Sequence, residues 1–403
     1  MAAMQKLLRT TSLSLLFLTW CASQAQLVTV TPPRTRAQGG ISADSSASMS
    51  DREKAGLRGP VRECIEETTY NEFRYSTTTV YSADGRLLSR RNANPDGSEW
   101  VQTWTYDSAG RLTNTIFGKS GDTPKEIVYE YDGAGRVLTA KNPDLGEETR
   151  FSYDDDGRKT SVKTFDPSKK EDSKATGISA TMATSALDAS EAGYGVPRGG
   201  TLTTVFDESD RPADLQVRDA QGTLVSSIRR IYGAKGELLE EKSTTENPAL
   251  LLFGNHPEMR EQMSPPQLAA LNKGLTSLLR GQGLFGRKYS YDDEGRLQEV
   301  QIRTFAFDQT STMTYNDRGD IADTREVTFR NPAAQGGRSF SIDDDGNLVP
   351  ANADTTPQAA AEPPQDVNIK YIYEYDGRNN WTQQTTARQS SPPSVRRRTI
   401  IYY

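Results

Sequence analysis

The sequence predicts an all-β protein in which tandem antiparallel β-hairpin repeats form a coiled, extended sheet or solenoid, with one inserted helix near 265–280. Three observations predict it. A motif of the form Tyr-Asp-x-x-Gly-Arg-Leu recurs at a base period of 22–26 residues, the mark of a repeat architecture. Aromatic residues alternate ahead of the motif, as in Trp104-Thr105-Tyr106 and Tyr289-Ser290-Tyr291, which is the period of a strand. Turn residues also recur half a period later, as in Asn94-Pro95-Asp96-Gly97 and Asp219-Ala220-Gln221-Gly222.

From the N terminus, Lys6 and Arg9 precede an apolar run, Leu13 to Leu18, and Ser23-Gln24-Ala25 offers small residues for cleavage after Ala25. Residues 1–25 therefore read as a secretory signal. Trp20 before Cys21 is too large for a lipidation site, which argues against a lipid anchor. Residues 26–55 are polar and aperiodic and read as a disordered leader. Cleavage after Ala25 leaves Cys64 without a cysteine partner in the chain, so it is expected as a buried, inert thiol.

The repeat array spans 56–403. Copies start at Tyr81, Tyr106, Tyr131, Tyr153, Phe206, Tyr232, Tyr291 and Tyr315, with a degenerate copy from Ser341 to Leu348 and a shortened one at Tyr375. Each is expected to be a hairpin. The Asp accepts from backbone N–H groups of its own turn, and the Gly takes the positive φ of a three-residue loop with a bulge. One hairpin is marginal in water, and its neighbours supply the missing burial.

Insertions stretch three intervals. Residues 166–200 (Ser/Ala/Thr/Gly-rich) and 350–366 (Pro/Ala-rich) read as flexible loops. The insertion at 256–283 carries Ser264-Pro265-Pro266-Gln267, a capping-box form with proline in the first turn. Leu268, Leu271, Leu275, Leu278 and Leu279 follow on one helical face, to be laid on the sheet.

Composition excludes several functions. The net charge is −6, and a nucleic-acid binder would show a basic footprint. With two cysteines and one histidine there is no ligand set for structural zinc. No stretch after the first 25 residues is apolar enough for a membrane-spanning helix.

The motif and its spacing resemble the YD repeats of the RHS/teneurin family. The start, Leu57-Arg58-Gly59-Pro60-Val61-Arg62, and the close, ending Arg398-Thr399-Ile400-Ile401-Tyr402-Tyr403, resemble small exported bacterial YD-repeat proteins. The resemblance implies a hairpin array, and carbohydrate attachment is known in the family. Large RHS proteins wrap a shell around a C-terminal toxin domain. Here the repeats look too few for such a closed shell, and no toxin domain of its own is expected.

The recurring Asp and Arg mark a candidate polar binding strip along one edge: Asp107, Asp132, Asp154 and Asp292 with Arg111, Arg136, Arg158 and Arg296. Turn formation and charge neutralisation explain the same residues. Asp154-Asp155-Asp156-Gly157 and Asp343-Asp344-Asp345-Gly346 lack the ligand spacing of a calcium loop. His256 has no accompanying nucleophile signature, and Arg396-Arg397-Arg398 reads as a solvated edge.

The expected function is an exported, non-catalytic scaffold without cofactor, at the cell surface or in the periplasm, whose partner is an envelope glycan or a surface protein. The alternatives are a glycan-processing enzyme using turn carboxylates and a toxin-system remnant or partner without its own toxin domain. Thr399–Tyr403 is expected as an exposed edge through which two chains can dimerise.

Overall fold

The computed structural model describes residues 49–70, 73–166, 168, 199–245, 264–269, 273, 285–304, 307–330, 340–342, 348–350, 363–389 and 391–403. The proposed signal, most of the leader, the interior of the 166–200 and 350–366 insertions, and His256 lie outside the described residues.

The strands follow the repeat. They run β1 (Val61–Tyr70), β2 (Phe73–Tyr81), β3 (Leu87–Ala93), β4 (Glu99–Tyr106), β5 (Leu112–Lys119), β6 (Lys125–Tyr131) and β7 (Val137–Asn142). Next come β8 (Glu147–Tyr153), β9 (Lys159–Phe165), β10 (Thr201–Phe206), β11 (Pro212–Arg218), β12 (Leu224–Tyr232) and β13 (Leu238–Thr245). Then follow β14 (Phe285–Tyr291), β15 (Leu297–Thr304), β16 (Phe307–Tyr315), β17 (Ile321–Arg330), β18 (Phe340–Ile342) and β19 (Leu348–Pro350). The last are β20 (Gln365–Tyr375), β21 (Trp381–Arg388) and β22 (Ser394–Tyr402).

Every strand from β1 to β17 pairs antiparallel with the next, β17 pairs with β20, and β22 pairs back onto β1. The result is a closed, 20-stranded antiparallel barrel. A coiled, extended sheet or solenoid was expected, and the closed barrel is the more specific form that the sheet takes. Ten strand pairs do close, and the tenth is built from the two ends of the chain: Cys64 lies opposite Ile400 and Glu66 opposite Arg398. The edge expected to serve dimerisation is therefore taken by β1 of the same molecule.

Antiparallel alternation puts all nine YD turns at one end of the barrel. The three long insertions leave from the other end. The degenerate copy forms a hairpin, β18 with β19, but stands as a separate two-stranded sheet because β17 pairs directly with β20.

Two helical segments flank the ring. The last leader residues form one turn, α1 (Asp51–Lys54), closed by a Ser50–Glu53 capping box. It seats on the first YD turn: Arg52 N–H donates to Gly85 O at 3.0 Å and Asp51 accepts from Leu87 N–H at 2.9 Å. The inserted helix is present at its start, residues 265–269 and 273 being helical, with Ser264 N–H donating to Gln267 Oε1 at 2.8 Å. The rest of the proposed Leu face lies outside the described residues.

Burial alternates along the strands. A closed sheet converges its side chains on the concave side, so the buried face is the inward one. It mixes apolar residues, such as Phe117, Leu297 and Val300, with polar ones, such as Gln102, Ser243 and Gln309. Cys64 is buried beside Leu57, Val61 and Tyr81.

Candidate functional site

Six of the nine YD turns are built on an aspartate, with Ser82, Gly233 and Asn316 in its place in the others. Asp132 Oδ1 accepts from Ala134 N–H at 2.9 Å and Arg136 N–H at 2.8 Å, while Oδ2 accepts from Arg136 Nε at 2.7 Å. The backbone closes the loop, with Asp132 N–H donating to Arg136 O and Gly135 N–H to Asp132 O. Gly135 sits at φ 83°, the left-handed region in which glycine carries no Cβ penalty. Tyr131 pairs with Val137 across a register shift, which is the expected bulge.

Two turns reach the same geometry without glycine. Asp210 (φ 61°) and Asn379 (φ 63°) occupy the left-handed position there. The copy at Tyr375 is thus full length, Asp376 to Asn380, rather than shortened: Asp376 N–H donates to Asn380 O at 2.9 Å.

The candidate strip residues all lie on this rim. The ion pairs stay within one turn: Arg111–Asp107, Arg136–Asp132 and Arg296–Asp292 are each 2.7 Å apart, and Arg158–Asp154 is 3.4 Å. Backbone and side-chain donations from Arg111 hold the Asp107 carboxyl below the ordinary range. Asp132 behaves alike through Arg136. Burial pushes Asp292 upward, but the hydrogen bonds from Arg296 outweigh it and leave the carboxyl lowered.

The arginine also reaches forward. Arg111 lies over the Tyr131 ring at 4.9 Å, Arg136 over Tyr153 at 4.4 Å, Arg211 over Tyr232 at 4.5 Å and Arg296 over Tyr315 at 4.7 Å. Each covered tyrosine donates its hydroxyl to the carbonyl of the residue after that arginine: Tyr131 to Leu112 at 2.7 Å, Tyr153 to Val137 at 2.9 Å, Tyr315 to Leu297 at 2.6 Å. One repeat is thereby tied to the next by a ring stack and a hydrogen bond, while the ion pair fixes the arginine within its own turn.

The tie changes where the sequence changes. Phe206 has no hydroxyl, and Lys159 rather than Arg158 covers its ring, at 4.0 Å. In the last two turns the arginine moves to the third turn position. Arg318 covers Tyr375 at 4.1 Å and Arg378 covers Tyr402 at 4.3 Å, and those hydroxyls donate to Asp320 and Asp376. The final tie crosses the seam: Tyr403 donates to Tyr81 O at 2.7 Å.

Two inward charge clusters escaped the motif reading because their members lie on separate strands. Arg230 and Arg287 flank Glu241 at 3.1 and 3.2 Å, with Glu241 1 % exposed. At the seam, Glu66 accepts from Arg398 at 3.0 Å and also from Arg396. The Arg398 guanidinium lies 3.4 Å from the Trp381 ring centroid. Arg396 and Arg398 therefore face inward, and only Arg397 lies on the exposed face expected of the whole run. Burial pushes Glu66 up, but the two guanidinium charges prevail and hold it low. Burial pushes Glu326 up, and Arg388 only partly offsets this.

Among the described residues no group of His, Cys, Asp and Glu is placed to hold a metal ion. A recess of about 530 Å³ lies on the exposed face of β11–β13, lined by Asp214, Arg229, Ile231, Glu240 and Lys242 among others.

No curated protein matches the chain. Among solved structures, a porin-like protein from Bacteroides uniformis aligns at 10 % identity and a TM-score of 0.32, covering 85 % of this chain and 99 % of that one. A TcdB2-TccC3-Cdc42 structure aligns at 15 % identity and a TM-score of 0.21, covering 80 % of this chain. A Photorhabdus luminescens Tc holotoxin pore aligns at 15 % identity and 0.23, covering 79 %. The chain spans only 15 % of the length of either toxin chain. The RHS Repeat family model matches residues 81–117 and 131–168, the stretches that hold the Tyr81, Tyr106, Tyr131 and Tyr153 turns, so this chain carries repeats of the RHS, or YD, family.

Proposed function

We propose that the protein is an exported, non-catalytic barrel scaffold of the cell envelope that binds a polymeric glycan or a protein partner. The carrying observation is that the most regular chemistry of the chain, its Asp–Arg–Tyr series, is spent on joining repeats. Carboxylates held low, such as Asp107 and Asp132, are poor proton donors near neutral pH. Glycoside hydrolysis by two carboxylates needs one acid raised. The basic start, apolar run and small-residue site of residues 1–25 support export.

The exposed face supports a barrel that works in water. A membrane barrel presents an outward apolar band. Here that face carries ion pairs such as Lys141–Glu130 at 3.0 Å and Arg325–Asp366 at 2.7 Å. Among the described residues no helix is long and apolar enough to cross a membrane.

The RHS match supports a second reading, a scaffold related to toxin systems, whose partner is a protein. The raised Glu326 keeps the enzymatic reading testable. An array of envelope glycans and proteins, read for both retention and released product, separates the three. Retention of a glycan without product supports the scaffold. Retention of a protein alone favours the toxin-related reading. Product release abolished by Glu326→Gln replaces both with an enzyme.

A further inference from the structure

Register fixes which charges meet across the ladders. Among the described residues, wherever two charged residues stand directly opposite each other their signs are opposite, with one exception. Glu67–Arg397, Lys141–Glu148, Arg303–Asp308 and Asp323–Lys370 follow the pattern. The exception is Arg229 of β12, which stands directly opposite Lys242 of β13. Like charges so placed repel and weaken the sheet. The acids nearby do not answer them. Asp214 of β11 lies opposite Arg229 on its other side, and Glu240 lies two residues from Lys242 on the same face of β13. Among the described residues none of these four side chains enters an ion pair. Elsewhere on the exposed face such neighbours do pair, as Arg325 does with Asp366 at 2.7 Å.

All four charges line the recess of about 530 Å³, together with Ile231, whose side chain is exposed. That volume is within the range of small-molecule sites. A dianion such as phosphate would meet the two bases but also two carboxylates. A zwitterion answers both signs. The spacing of strands, about 4.8 Å, sets the midpoint of Arg229 and Lys242 about 7 Å from β11, which carries Asp214. Two extended residues span about that length. Strands β11, β12 and β13 are each paired on both sides, so a peptide cannot join them as a further strand. Its charged ends must hold it instead.

We propose that this recess binds an apolar dipeptide, its carboxylate between Arg229 and Lys242, its ammonium on Asp214 and a side chain on Ile231. The bound carboxylate removes the repulsion between the two bases and gains charge-assisted hydrogen bonds from both. The site goes beyond the scaffold reading and does not depend on it.

The test is calorimetric titration of the full chain with leucyl-leucine, its N-acetyl form, its C-terminal amide, free leucine and inorganic phosphate. Leucyl-leucine is expected to bind, and each capped form about tenfold more weakly. Lys242→Gln should weaken leucyl-leucine about tenfold and leave the amide unchanged. Asp214→Asn should weaken leucyl-leucine and leave the N-acetyl form unchanged. Arg150→Gln, on the outer face of β8, should change nothing. Lys242→Gln should also keep or raise the Tm, because it relieves a like-charge pair. No binding of leucyl-leucine overturns the proposal, as does binding of leucine or phosphate just as tight. Variants that weaken free and capped forms alike, or a lowered Tm for Lys242→Gln, overturn it too. So does sedimentation showing a dimer that Arg229→Gln separates, since a second copy then fills the recess. Retention of a glycan or protein on the array is read separately, so either reading can fail while the other stands.

Discussion

The Arg111 guanidinium lies 4.9 Å from the ring centroid of Tyr131, a residue of the following repeat, while Asp107 of its own turn holds it at 2.7 Å. One side chain thus couples two hairpins that share no turn. The stack is expected to contribute about 0.5–1 kcal/mol. A double-mutant cycle of Arg111→Gln and Tyr131→Leu, read by urea unfolding, should return a coupling energy of that size. Strict additivity of the two changes would mean that the stack does nothing for stability.

At Gly110 the glycine of the YD turn has a second duty beyond its positive φ. At Gly110 the Arg86 guanidinium occupies the place a Cβ would take, whereas at Gly97, with a similar φ of 78°, that space is open. Gly97→Ala should cost about 1 kcal/mol from backbone strain alone. Gly110→Ala should cost clearly more, because Arg86 must leave the Tyr106 face. Equal midpoint shifts in denaturant would refute this.

Phe206 marks the place where the tyrosine tie is missing. Phe206→Tyr places a hydroxyl toward the Lys159 carbonyl, as Tyr153 does toward Val137. A gain of about 0.5–1.5 kcal/mol is expected, seen as a raised Tm. A lower Tm would show that the Lys159 arrangement has reshaped the site.

Glu66 and Glu326 should titrate with opposite consequences. Glu66 is lowered in the fold, so its stabilisation is present above the unfolded value and is lost as pH falls through the folded one. Glu326 is raised, so its contribution favours the fold at low pH and is lost as pH rises through the folded value. Glu66→Gln should therefore destabilise by about 2–4 kcal/mol at pH 7 and converge on the parent near pH 3. Glu326→Gln should be at least as stable as the parent at pH 7. Unfolding midpoints across pH 3–8 check both, and parallel curves would contradict the assignment.

Closure is testable by removing one stave. Deleting residues 394–403 exposes the ladders of β1 and β21, and an unpaired edge recruits other chains. Light scattering should show concentration-dependent association of the shortened protein. A stable monomer would mean that the seam contributes little.

Much of the local structure was legible because turn chemistry is local. The glycine spacing located seven of the nine YD turns, and Asn379 and Asp210 show the tolerance of the left-handed position for short polar side chains. Other features were not legible, for stated reasons. Ser341–Leu348 has the turn signal of a repeat, but its partner strands are elsewhere engaged. Arg396 and Arg398 look like surface charge until register sets them opposite Thr68 and Glu66.

The sequence by itself determined the hairpins, their order and the ends at which their turns lie, since period, alternation and turn residues act within a few positions of one another. Tertiary structure alone decided that the ribbon closes, that Tyr402 completes a ring with a segment more than three hundred residues away, and that Arg398 comes to lie opposite Glu66. Those outcomes depend on summed twist and on register between strands distant in sequence, which no short window of residues contains.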